Sequence, residues 1–186
     1  MFPSLTNMFL SATYLYKLFP QSKFFGREKM SWWKRDTQQQ VDVVTGCFML
    51  VRKTAAKQIG HLDENFFMYA EETDWCYRFK QAGWKILFTP EAQIIHLGGQ
   101  SSKRVREKMV IQLRLSILTF MKKHRTGLEH KAASFLVLLF FVLRIPYWSL
   151  LAIKPAARTL GKQKSKAYVK AAVCVLFPRK FKIRMD

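Results

Sequence analysis

The chain has 186 residues, 49% of them hydrophobic, which suits one ordinary domain with an appendage and excludes an intrinsically disordered chain. Its net charge of +20 is lopsided: residues 1–100 carry 12 Lys and Arg against 9 Asp and Glu, and residues 101–186 carry 20 against 3. A near-neutral front and a strongly basic back imply two tasks, the second directed at an anionic lipid surface or a nucleic acid.

Residues 1–40 read as irregular to weakly helical, punctuated by Pro3 and Pro20, with Phe24-Phe25-Gly26-Arg27 as a loop and Trp32-Trp33 as a packing anchor. No basic leader or cleavage site follows Met1, so no signal peptide is expected. Residues 41–51 (VDVVTGCFMLV) are β-branched and apolar and predict a buried strand, with Gly46 marking a bulge or a close approach to the backbone. Thr54 is the expected N-cap of a short helix that stops at Gly60.

A loop over residues 61–70 leads into a helix expected at 71–82, with acids in its first turn and Gly83 beyond its end. Strands are expected at 84–89 (WKILFT) and 92–97 (AQIIHL), the second closed by Gly98-Gly99. The front therefore reads as an α/β layer. From Ser102 the apolar positions Val105, Met109, Leu113, Ile117 and Phe120 fall at helical spacing among Lys and Arg, predicting a basic amphipathic helix that ends near Lys122-Lys123-His124. Gly127 breaks it. Residues 134–153 then approach the roughly 20-residue length of a bilayer span, interrupted by Arg144 and Pro146. An interfacial or re-entrant helix, a true span and a buried helix all remain open for this segment. Residues 166–177 form a last short apolar stretch suited to a surface.

Cys47, Cys76 and Cys174 are odd in number, far apart and in apolar contexts. With no Cys-x-x-Cys pair and no metal-ligand spacing, they read as buried reduced thiols of a cytosolic protein.

Three carboxylates, Glu71, Glu72 and Asp74, crowd into four positions at a helix start. One reading is charge complementing the helix dipole. The other is chemical: Asp74 and Arg78 lie i,i+4, so Arg78 can hold Asp74 and leave the remaining acids free, and crowding raises a carboxylate's pKa toward that of a usable base. His96, ahead of Gly98 and Gly99, is either a structural histidine or part of a loop that approaches phosphate oxygens.

The order VTGCFMLVRKTAAKQIG, then LDENFFMYAEETDWCYRFKQAGWKILFTPEAQIIHLGGQSS, resembles the second half of bacterial family-2 glycosyltransferases of the rhamnosyltransferase-like kind. Those proteins carry a Gly-Ala/Cys strand ending in Leu-Val-Arg, then Gly-Phe-Asp-Glu-x-Phe-Phe, Glu-Asp-x-Asp-Leu/Trp-Cys-x-Arg, Ala-Gly-Trp and His-x-Gly-Gly-x-Ser. Ser116, Phe120 and Lys123-His124 resemble that family's basic tail helix, so the likeness runs over residues 2–125.

The resemblance implies a partial GT-A fold over residues 1–101, the acceptor-side half, followed over 102–186 by basic amphipathic and apolar helices that associate with a membrane. It implies inverting transfer of a sugar, rhamnose being the leading guess, from a nucleotide-sugar to a glycan or lipid-linked acceptor. Carried over by position, Glu72 stands where the family has its base, usually Asp. Glu71 precedes it, and Asp74 or Glu71 could serve instead. Arg78 and Asp63 are supporting. Gly46, Trp75, His96, Gly98 and Gly99 would line the substrates, and His96 would face the diphosphate or a metal. A divalent metal, Mg or Mn, is expected for the family, but the Asp-x-Asp motif that holds it has no counterpart here, nor do the nucleotide-binding strands. The donor-binding half is therefore expected from elsewhere, such as a separate chain. The expected location is the cytoplasmic face of the membrane, peripheral or through one weak helix at 134–153. The rival readings are a non-catalytic membrane-surface protein and a nucleic-acid binder. Basic residues that interleave with an apolar helix favour anionic lipid over nucleic acid.

Overall fold

The computed structural model describes residues 1–97 and 106–177. It is mostly helical. Helix α1 (Leu5–Ala12) starts at Ser4, whose Oγ accepts the Asn7 backbone N–H at 3.3 Å. A single 3-10 turn (Leu15–Lys17) follows. Strand β1 is Gln39–Gln40 and strand β2 is Leu87–Phe88, paired antiparallel with Gln39 opposite Phe88. Between them lie α2 (Lys53–Ile59) and α3 (Glu71–Gln81). The rest is helical: α4 (Arg106–His124), α5 (Gly127–Val142), α6 (Arg144–Leu151) and α7 (Arg158–Leu176), with a 3-10 turn at Pro155–Ala157 before α7.

The helix expected at 71–82 is present as α3, and the one expected to end near 124 is present as α4 from Arg106, residues 102–105 lying outside the described residues. The strands differ. The ladder continues one bond past β1, from the Val41 N–H to the Ile86 carbonyl at 2.9 Å, and then residues 42–51 turn away as irregular chain. Residues 84–89 contribute only Leu87–Phe88, and 92–97 run as exposed irregular chain. An apolar β-branched run becomes a strand only when a neighbour accepts its backbone bonds. Among the described residues, only the two short strands offer each other that pairing. Among the described residues the architecture is thus a helical assembly with a small two-stranded sheet, with less β structure than the α/β layer expected. Cys47, expected inside a strand, sits in the 46–48 turn and is exposed, whereas Cys76 and Cys174 are buried.

Two helix boundaries also differ. The N-cap of α2 is Arg52, and Thr54 falls within the first turn. Gly60 closes the helix at φ +81°, a left-handed value that favours glycine. Gly127 is the first residue of α5, not merely a break. Thr126 caps it, its Oγ1 accepting the Glu129 N–H while the Glu129 carboxylate accepts the Thr126 N–H.

One hydrophobic cluster joins the front and back of the chain. It gathers Met8 and Ala12 of α1, Phe66 and Ala70 before α3, Phe120 and Met121 of α4, Val137 and Phe141 of α5, and Tyr168 of α7. Full burial of side chains such as Phe120 and Phe141 contributes roughly 1.5–3 kcal/mol each. Arg144 is buried at its edge, 3% exposed. Its guanidinium donates to the Ser11, Ala12 and Phe140 carbonyls at 3.0, 3.1 and 2.7 Å and stacks over the Phe140 ring. Ser11 and Ala12 end α1, where carbonyls lack helical partners and the dipole is negative, so a cation there satisfies both.

Candidate acceptor-side site

Helix α3 opens from a constrained turn. Tyr69 and Ala70 both hold left-handed backbone, φ +67° and +65°, which costs a non-glycine residue about 1–2 kcal/mol. Packing and α4 hold the turn. Phe66 and Ala70 are buried, and Ser116 of α4 donates its hydroxyl to the Met68 carbonyl at 2.8 Å. The turn delivers Glu71, Glu72 and Asp74 into the first turn of α3, where their charge suits the helix N-terminus.

The three acids then part company. Asp74 is fully buried and fully engaged. Its Oδ1 accepts from Lys123 Nζ at 2.7 Å and His124 Nε2 at 2.6 Å, and its Oδ2 accepts from Arg78 Nε at 2.8 Å. An ionised carboxylate only accepts, so His124 carries its proton on Nε2. Burial pushes the Asp74 carboxyl up, but the hydrogen bonds from Lys123, His124 and Arg78 outweigh it and hold its pKa below the ordinary value. Lys123 also reaches Asp63 at 2.6 Å. That contact, with the Asn65 backbone N–H, lowers Asp63 to about 2. Arg78 continues to the Ile59 and His61 carbonyls at 2.8 and 2.6 Å, and the Trp75 indole N–H donates to the Gly60 carbonyl at 2.8 Å. Asp63, Asp74, Arg78, Trp75, Lys123 and His124 therefore bolt the end of α2, the start of α3 and the end of α4 together.

Glu72 points elsewhere. It lines a cavity of about 150 Å³ together with Asn7 of α1, Glu28, Thr73 of α3 and Arg114 of α4. Such a volume is roughly that of the engineered cavity that admits benzene, enough for one six-membered ring. Three polar atoms of the residues around it have no hydrogen-bond partner: Glu72 Oε2, Asn7 Oδ1 and Arg114 Nε. Buried polar atoms are rarely left unpaired. Burial pushes the Glu72 carboxyl up, and the charge of Glu71 adds to the rise. Glu71 Oε2 is also unpartnered but does not line the cavity. Gly46 lies against the stem of Glu72, where an added Cβ would meet Glu72 Cβ at 3.6 Å, an ordinary contact.

The remaining expected site residues are not brought here. His96 stands exposed in the irregular stretch before residue 98, and Gly98 and Gly99 lie outside the described residues. Among the described residues no group of three or more His, Cys, Asp or Glu is arranged to hold a metal. The acids closest to such a role do not fit one, since Asp74 is spent on Lys123, Arg78 and His124 and His96 joins no cluster. Asn7 and Arg114 are absent from the sequence reading. Arg114 had a signal: it lies three residues from both Ile111 and Ile117 and seven from Met121, all buried, so a cation occupies a core-facing position. Asn7 had none.

A half-buried carboxylate with one unpartnered oxygen thus stands beside a small, mostly apolar cavity, on a helix pinned by its neighbours. Residues 8–113 match the model of the family described as glycosyltransferase like family 2, and the chain belongs to that family. It is similar to the N-acetylglucosaminyl-diphospho-decaprenol L-rhamnosyltransferase of Mycobacterium tuberculosis, 35% identical over 37% of this chain and 22% of that protein. It is also similar to the rhamnosyltransferase WbbL of Escherichia coli, 38% identical over 30% of this chain and 21% of that protein. The low-salt glycan biosynthesis hexosyltransferase Agl10 of Haloferax volcanii is 40% identical over 26% of this chain and 16% of that protein. The chain thus matches about a fifth of the length of these curated relatives. No solved structure matches it.

Proposed function

We propose that this chain is the acceptor-side part of an inverting glycosyltransferase in which Glu72 is the general base. The observation that carries the reading is the contrast within one helix turn: Asp74 has all its acceptor sites engaged, while Glu72 lines a cavity and has one buried oxygen without a partner. A proton acceptor needs a free lone pair and a pKa drawn toward neutrality, and Glu72 has both. The acceptor sugar ring occupies the cavity. Its hydroxyl gives a proton to Glu72, its oxygen forms the bond to the anomeric carbon, and the nucleoside diphosphate leaves with the electron pair of the broken bond. Arg114 and Asn7, which line the same cavity, are the polar side chains that would orient the ring. Asp74 and Arg78 keep α3 in place and take no part in proton transfer.

Residues beyond these 186 supply the nucleotide-sugar site. The rhamnosyltransferase names of the relatives make rhamnose the leading donor sugar and a lipid-linked glycan the leading acceptor. A divalent cation is expected from family resemblance, but the described residues do not fit one. The chain works at the cytoplasmic face of a membrane, where a lipid-linked acceptor is held.

The test is reconstitution. The chain is joined to, or co-expressed with, a donor-binding half, and transfer from nucleotide-sugars to lipid-linked acceptors is measured. Transfer that Glu72→Gln lowers by ~10²–10⁴-fold supports the reading. Folded protein with no transfer, or transfer indifferent to Glu72, removes it.

A further inference from the structure

Residues Gly127–Leu151 of α5 and α6 are long and apolar enough to cross a bilayer, yet only 22% of their apolar 18-residue window is buried inside the protein. The rod has two apolar sides. Ala133, Val137, Phe140, Phe141 and Arg144 are buried. Leu128, Phe135, Val142, Leu150 and, just beyond, Ile153 are exposed, Phe135 at 63% and Ile153 at 75%. At 100° per residue the exposed set falls on one side and the buried set on the opposite side. The exposed stripe holds no acid.

We infer that this stripe lies flat on an anionic lipid surface and does not cross the bilayer. The buried side fixes the orientation. Helix α7 packs along both α5 and α6, and Gly161 seats it so closely that a Cβ there would lie 2.7 Å from the Ala152 nitrogen. Helix α7 carries Lys162, Lys164, Lys166 and Lys170, and α1 is tied to the middle of the rod through Arg144. A crossing rod would drag these lysines and α1 into hydrocarbon, where cations and polar backbone are unfavourable. A flat rod immerses only the apolar stripe and leaves the lysines at headgroup level. Charge names the occupant. Between Glu129 and Asp186 no side chain is acidic, while Lys131 and Lys154 flank the stripe, so the basic segment is complementary to lipid phosphates. Tyr147, 57% exposed at the edge between the two sides, suits the interface.

The inference rests on the membrane location proposed above but not on its chemistry, so Glu72→Gln should bind vesicles as wild type does. The experiment uses the full chain with vesicles of phosphatidylglycerol and phosphatidylcholine, or of phosphatidylcholine alone. Binding is expected to the anionic vesicles and to weaken with salt. Phe135→Glu combined with Leu150→Glu should lower it about tenfold or more, while Leu50→Glu, exposed elsewhere, should not. Depth decides the orientation. Environment-sensitive dyes on Phe135→Cys and on Leu150→Cys, in a background lacking the native cysteines, should be quenched by the same lipid-chain position. Different depths for the two sites, no binding by folded protein, or lipid-independent self-association that buries the stripe would overturn the inference.

Discussion

His124 Nε2 lies 2.6 Å from Asp74 Oδ1, joining the last turn of α4 to the first turn of α3 across 50 residues of chain. The two helices meet at a buried carboxylate with three cationic or protonated partners, so the position of Glu72 depends on a contact that Glu72 does not make.

Asp74→Asn should therefore behave as a stability variant. It removes the charge that Lys123 and Arg78 surround, and breaking a buried pair from one side costs about 3 kcal/mol. Urea unfolding should show a lower midpoint. Activity of the reconstituted enzyme, measured well below the new melting temperature, should fall far less than with Glu72→Gln. Equal losses of activity at full stability would return Asp74 to the list of candidate bases.

The same network sets the acid limit of the fold. Asp63 is lowered from 3.8 to about 2 by Lys123 and Asn65, and Asp74 is lowered as well. A depressed carboxylate contributes stability above its unfolded value and loses it as pH falls through the folded one. Stability should hold down to about pH 4 and decline from there toward 2. Lys123 is raised above 10.5 because Asp63 and Asp74 outweigh the lowering effect of its burial, so its contribution is lost only as pH rises through that higher value. A pH series of unfolding midpoints, with Asp63→Asn flattening the acid limb, checks both signs.

Glu72 should show the opposite signature. Its pKa is raised by burial above the ordinary 4.5, so its ionised form is disfavoured in the folded protein. Its favourable contribution is present below 4.5 and lost as pH rises through the folded value. Glu72→Gln should accordingly leave stability at neutral pH unchanged or slightly higher. The wild-type rate should climb with pH along a limb displaced above 4.5, and that limb should vanish in the variant.

Arg114 should separate binding from chemistry. It lines the cavity, and its guanidinium lies 4.0 Å from the Phe140 ring centroid, with no carboxylate in ion-pair range among the described residues and a buried Nε without a partner. Arg114→Lys keeps charge but loses the planar donor set. A rise in acceptor KM of roughly 5–50-fold with kcat nearly unchanged is expected, the pattern of lost ground-state binding. Steady-state kinetics over acceptor concentration would expose a fall in kcat instead.

Several features follow from the sequence alone. The acids of α3 and Gly83 beyond its end mark that helix, and the apolar spacing from Met109 to Phe120 marks α4, because a helix closes its own hydrogen bonds and is specified locally. The Thr126-to-Glu129 capping box is legible too, although Gly127 draws attention as a breaker. The family is legible because its motifs keep order and spacing. The strands at 41–51 and 92–97 are not fixed by their own residues, since a strand depends on a neighbour and among the described residues none is present. Tertiary structure alone decides which of three adjacent acids is free. Asp74 turns into Lys123 and His124, 49 and 50 residues away in number, and Glu72, two positions earlier, turns into a cavity shared with Asn7 and Arg114. Local spacing sets a side chain's angle around its helix, but its partners come from helices that only packing brings within reach.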